Sequence, residues 1–117
     1  MSKAVMLALS NPVSPQREQE FNDWYDKVHA RQLLALPGFN RVRRYKAARQ
    51  MLPPSESGEP TYAYLAVYEV DDAKAAIQTI LDNEQDFTMS ESMDFANAFG
   101  VAFEQIFSSD DPAGDAA

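Results

Sequence analysis

The chain has 117 residues, 45% of them hydrophobic and 11% aromatic, enough for one domain with a real core and too much apolar side chain for a disordered polymer. With 18 acidic against 10 basic residues the formal charge is -8, a field that repels phosphate backbones and anionic lipid, so neither nucleic acid nor membrane is an expected partner. The absence of cysteine removes disulfides, thiolate nucleophiles, iron–sulfur clusters and thiolate zinc sites together.

No apolar stretch is long enough to span a bilayer, and Met1-Ser2-Lys3 leads into a strand-like segment rather than a signal peptide, so a cytoplasmic protein is expected. Lys3 to Leu9 is a short apolar run that suits a strand buried on both faces. It ends at Ser10-Asn11-Pro12, a turn signal, and Ser14-Pro15 then opens a long helix from Arg17 to Leu36, closed by Pro37-Gly38. At 100° per residue, Phe21, Trp24, Tyr25, Val28, Ala35 and Leu36 fall on one side of this helix, while Asp23, Lys27, Ala30 and Leu34 fall away.

Phe39 to Lys46 is predicted to be a strand, with Phe39 and Tyr45 on one side and Val42 on the other. Ala48 to Pro60, rich in proline and serine, is a loop. Thr61 to Val70 alternates aromatic with aliphatic side chains and is the clearest strand of the chain, expected to be buried on both faces. Asp71-Asp72 caps a second helix over Ala73 to Asn83. Gln85 to Gly100 is irregular, Val101 to Phe107 is a last strand, and 109–117 is expected to be an acidic, disordered tail to a single domain over 1–108. The order β-α-β-β-α-β predicts an α+β, ferredoxin-like fold, an antiparallel sheet with two helices on one face. Its other face then needs a cover, and a second copy of the same sheet is the simplest one, giving a homodimer through the sheet faces.

The chemistry-bearing stretch is Glu20-Phe21-Asn22-Asp23-Trp24-Tyr25-Asp26, followed by His29, Leu33, Pro37-Gly38-Phe39 and Arg44-Tyr45; it holds the only tryptophan and the only histidine. With Asn11-Pro12 before it, this string resembles the dimeric α+β barrel superfamily, particularly its EthD-like and DUF4286-like small proteins. The match covers the first 45 residues, and the remainder agrees in element order. The resemblance implies a dimeric α+β barrel. It leaves the reaction open, because that superfamily includes isomerases, cyclases, dehydratases, cofactor-free monooxygenases and haem proteins, and fold alone does not fix function.

His29 lies at the edge of the apolar stripe, facing the seam between helix and sheet, where an imidazole with a pKa near neutrality passes protons in both directions. The competing reading is a partly exposed histidine bonded to Asp26 or a backbone carbonyl. The resemblance implies acid/base work for a histidine at this place in the long helix. Tyr25 is the second catalytic candidate, its phenol a donor to a substrate oxygen; otherwise it is a core tyrosine with its hydroxyl at the rim. Trp24, Asn22, Asn11, Tyr64, Phe87, Phe95 and Phe99 are candidate substrate contacts, with packing the alternative for Trp24 and a local backbone bond for Asn11. Tyr62, Tyr64 and Tyr68 cannot be divided between pocket and dimer interface. Glu69 is a candidate buried base, or else a solvated carboxylate near a strand end. Arg41, Arg43, Arg44 and Lys46 form the one basic cluster, able to attract an anionic substrate or to protect an edge strand. No metal site is expected of a single histidine, and no phosphate-binding glycine motif occurs.

These residues predict a cofactor-free enzyme of isomerase, cyclase or lyase type acting on a small apolar carbonyl or phenolic metabolite through His29. The alternatives are a non-catalytic protein that binds a hydrophobic metabolite and a cofactor-independent monooxygenase.

Overall fold

The computed structural model describes residues 3–111. Along it run β1 (Ala4–Ser10), a 3-10 turn (Pro15–Arg17), a long helix α1 (18–34), β2 (Phe39–Lys46), β3 (Tyr64–Val70), α2 (Ala73–Asn83) and β4 (Phe99–Glu104). The strands form one sheet in the order β2-β3-β1-β4, every neighbouring pair antiparallel. Both helices cover the same face, so the expected ferredoxin-like α+β fold is the observed one. Asp72 accepts the Ala75 N–H at 2.8 Å and starts α2 at the expected residue. Of the expected tail, 112–117 lie outside the described residues, while Asp111 closes a turn by donating its N–H to the Ser108 carbonyl.

Helix α1 is one continuous helix in three stretches: Glu18–Trp24 and Ala30–Leu34 are α, and Tyr25–His29 between them is π. The Ala30 N–H reaches back five residues to the Tyr25 carbonyl. A π turn holds one more residue than an α turn, so every later side chain sits about 100° behind its place on a regular wheel. This corrects the helical wheel: Ala30, expected outside, is buried, and Ala35, expected inside, is exposed. Phe21, Trp24, Tyr25 and Leu33 enter the core together with Ala73 and Ala76 of α2.

Beneath the helices lie Ala4 and Met6 of β1, Phe39 of β2, and Tyr64, Ala66, Tyr68 and Val70 of β3, all buried. The bare outer face carries their alternates. Val5, Leu7 and Leu9 pair there with Glu69, Val67 and Leu65 on one side and with Phe103, Val101 and Phe99 on the other. Burial on both faces, expected of β1 and β3, is met on the helix side except at Ala8, which is half-buried like the outer residues. Strand β4 also starts two residues earlier than expected and stops at Glu104, leaving Ile106 and Phe107 exposed.

A bulge between Phe39 and Arg41 switches faces within β2. Phe39 is buried while Tyr45, expected beside it, is half exposed on the outer face opposite Leu65. The bulge divides the basic cluster as well. Arg41 and Arg43 lie on the outer face and pair with Glu69 at 3.8 and 2.9 Å, so Glu69 is a solvated ion-pair partner and not a buried base. Arg44 turns inward under α1. The 48–60 loop is tied at its root, with Ala47 N–H donating to the Ala63 carbonyl and Gln50 N–H to the Gly58 carbonyl, both at 2.8 Å.

Candidate functional site

Between the two helices, above the centre of the sheet, lies a cavity of about 530 Å³. Its floor is Met6 and Ala8 of β1, Tyr68 of β3 and Gly100 of β4; α1 contributes His29 and Leu33. The remaining wall is Ile77, Ile80 and Leu81 of α2 with the segment just beyond it, where Phe87 and Met89 are apolar and Glu84 and Gln85 supply polar groups.

The π turn places His29. Trp24 and His29, five residues apart, stack at 4.7 Å between ring centres and 20° between planes. Tyr25 and Phe87 meet the imidazole edge to face at 5.0 and 6.2 Å. The Trp24 Nε1–H donates to the Thr88 carbonyl at 2.8 Å, and Gln32 holds both the Thr88 N–H and hydroxyl, tying α1 to the segment that carries Phe87 and Met89. His29 Nδ1 is buried and has no hydrogen-bond partner. Burial, and secondarily the positive field of Arg44, lowers the His29 pKa from 6.5 to about 4. The expectation of an imidazole titrating near neutrality is therefore corrected: at neutral pH the ring is uncharged, able to accept a proton but holding none in excess.

Tyr68 is fully buried beneath the cavity floor, and its hydroxyl, sealed from the cavity, lies against the Tyr25 phenol. Burial pushes its pKa far up, reinforced by the Tyr25 phenol nearby, so it is a neutral donor. Tyr25 itself is buried, its phenol also held protonated by burial, and it backs His29 rather than lining the cavity. Tyr68 is the residue that sequence analysis left unassigned. The signal for it was its place at the middle of the most regular strand, on the same face as Ala66, where a small neighbour leaves room above the sheet.

The other candidates are dispersed. Phe87 lines the cavity; Trp24 supports His29 from behind. Asn22 donates to the Tyr64 hydroxyl at 3.1 Å, and that hydroxyl donates to Glu18 at 2.5 Å. Arg44 completes this network through Asn22 Oδ1 at 3.0 Å and Asp26 at 2.7 Å, with its guanidinium carbon 4.2 Å from the centre of the Tyr25 ring. These groups lie beside the cavity and not on its wall. Asn11 spans the loop root, donating to the Thr61 carbonyl and accepting from Ala63 N–H, the local structural role. Phe95 is exposed in a 3-10 turn, and Phe99 faces outward opposite Leu9, so neither touches the cavity. Among the described residues no group of three or more His, Asp or Glu is placed to hold a metal ion, and no helix is long and apolar enough to cross a membrane.

Solved structures share this arrangement of helices on sheet. An EthD (ethyl tert-butyl ether) family protein from Bacillus halodurans superposes with a TM-score of 0.58 at 15% identity, covering 91% of this chain and 100% of its own. The chain has the EthD-type fold. A "putative monooxygenase" from Shewanella loihica matches at TM-score 0.61 and 14% identity over 92% of this chain and 99% of its own. HapK from Hahella chejuensis matches at 0.51 and 15% over 93% and 96%. No protein-family model and no curated protein matches the sequence. On the EthD-type scaffold, the cavity between the helices brings one imidazole into an otherwise mainly apolar space.

Proposed function

We propose that the protein is a cofactor-free acid/base catalyst for a small, largely apolar carbonyl or phenolic molecule, with His29 as its base. The observation that carries this reading is a neutral imidazole on the wall of a mainly apolar cavity. With Nδ1 sealed off, Nε2 is the nitrogen open to a guest, and no carboxylate fixes which of the two carries the proton. Nε2 takes a proton from the carbon next to a carbonyl, the C–H electron pair moves into a carbon–carbon double bond, and the carbonyl oxygen takes up the negative charge. The imidazolium then has the enolate as counter-charge, and it returns its proton to a different carbon in an isomerisation or to a leaving group in an elimination.

The test is hydrogen–deuterium exchange at the activated carbon of 2-tetralone in D2O, followed by NMR. A general base of this kind contributes about 10²–10⁴ in rate, which His29→Gln should abolish. Exchange at the wild-type rate in a folded His29→Gln protein overturns the assignment. A second reading, reversible binding of an apolar guest without turnover, is supported by the lack of a hydrogen-bond partner that would fix which imidazole nitrogen carries the proton; it predicts saturable binding with no exchange. We assign the bare outer face of the sheet to a second copy of the chain, since Val5, Leu7, Leu9, Leu65, Val67 and Val101 form a contiguous apolar surface there with no helix over it.

A further inference from the structure

The cavity beside His29 does not end at the sheet. A second depression of about 670 Å³ runs along β4 beneath the start of α2, and Ile77 and Gly100 line both. Its walls are Ala73 and Lys74 of α2 and residues 100–104 of β4. The outer side of β4 carries Phe99, Val101 and Phe103, whereas its inner side, across from Ala8 and Met6, carries only Gly100 and Ala102 before Glu104.

Glycine at 100 is not required by the backbone. Among the described residues the glycines with positive φ are Gly38 and Gly58, and Gly100 sits in a regular antiparallel ladder opposite Ala8. A Cβ added there meets only the Leu7 carbonyl oxygen, at 4.0 Å. A glycine inside a strand weakens pairing, and where no bulge or turn calls for it, it marks a place that something approaches closely. In the first depression stands His29, the polar ring on an otherwise apolar part of the wall.

We propose that the two depressions are one binding groove for an elongated molecule, its oxygen-bearing head at His29 and an unbranched apolar tail passing Gly100 into the channel between α2 and β4, with Gly100 setting how long a tail is admitted. This rests on the site reading above and adds the shape of the substrate to it.

The probes are 4-ethylphenol, 4-butylphenol and 4-hexylphenol, with affinity read from the fluorescence of Trp24, the single indole of the chain, and occupancy of the site read from the His29 ring protons by NMR. Each buried methylene tightens binding about fourfold, so hexyl should bind on the order of 100-fold more tightly than ethyl in the wild type. Gly100→Val should reduce that ratio below about 10-fold, and Gly100→Ala should lie between. Valine suits a strand better than glycine, and thermal unfolding checks that the variant is folded. Equal ratios in wild type and folded Gly100→Val, or no length dependence in a wild type whose His29 protons respond to 4-ethylphenol, overturn the groove while leaving the head site standing. No response of His29 to any of the three phenols overturns both.

Discussion

Trp24 and His29 stand five residues apart in sequence and lie ring on ring, 4.7 Å between centres. In a regular α-helix that spacing turns two side chains about 140° apart. The π turn from Tyr25 to His29 removes the offset, and the indole becomes the back wall of the imidazole. Stacking of this kind fixes the ring plane, and burial keeps the ring neutral.

The pH dependence of stability follows from that burial. The His29 pKa is about 4 when folded and 6.5 in an unfolded chain, so between these values the unfolded state binds the extra proton and stability falls as pH is lowered. The loss reaches about 3 kcal/mol by pH 4 and does not grow further from this group. Urea unfolding of wild type and His29→Gln between pH 7.5 and 4.5 should show the component in the former only. Glu18 and Glu20, held low by Tyr64 and Arg17, add their own loss below their ordinary value of 4.5, outside this window.

Catalytic exchange should follow the same ionisation. Proton abstraction needs the free imidazole, so kcat/KM for exchange is expected to rise with pH through about 4 and to be flat from about 6 to 8. A profile rising through 6.5 contradicts the buried, neutral base.

Arg44 contributes to the depression from outside the cavity. Replacing it with methionine removes the positive field and the 2.7 Å pair to Asp26 while keeping much of the side-chain volume. The His29 pKa, followed by NMR, should rise in Arg44→Met yet stay below 6.5, because burial is the larger cause.

Tyr68→Phe probes both stability and chemistry. The lost hydroxyl is buried against the Tyr25 phenol and closed to the cavity, so its removal should cost no more than about 1 kcal/mol and leave exchange of 2-tetralone within about twofold of wild type. Calorimetry and the exchange assay, run on one preparation, check both.

The outer face gives an assembly prediction. Leu7 lies in the central part of that face, paired with Val67 and Val101. Leu7→Lys should convert a dimer to a monomer by light scattering at micromolar concentration, with Trp24 fluorescence preserved because the opposite face is untouched.

Much of this was legible in the sequence. Alternation marked β3, Asp72 marked the start of α2, and the string around Trp24 and His29 marked the wall of the cavity. What escaped were two one-residue irregularities with no residue signature of their own. The π turn in α1 exchanged Ala30 for Ala35 in the core, and the bulge after Phe39 separated Arg44 from Arg41 and Arg43. Each shifts the phase of everything after it, and a helical wheel or a strand alternation assumes constant phase. Phe99 failed for a related reason: an aromatic residue near a pocket in sequence lies on the wrong face once the strand begins two residues early.

The tied root of the 48–60 loop has a practical outcome. Asn11 grips Thr61 and Ala63, and Ala47 and Gln50 close the stem, so a strain applied at Met51 to Pro54 ends in those bonds before it reaches β3. That tip is a natural port for grafting: an epitope or affinity tag spliced between Pro54 and Ser55 is held by the same stem bonds and sits in a segment that does not line the two-helix crevice.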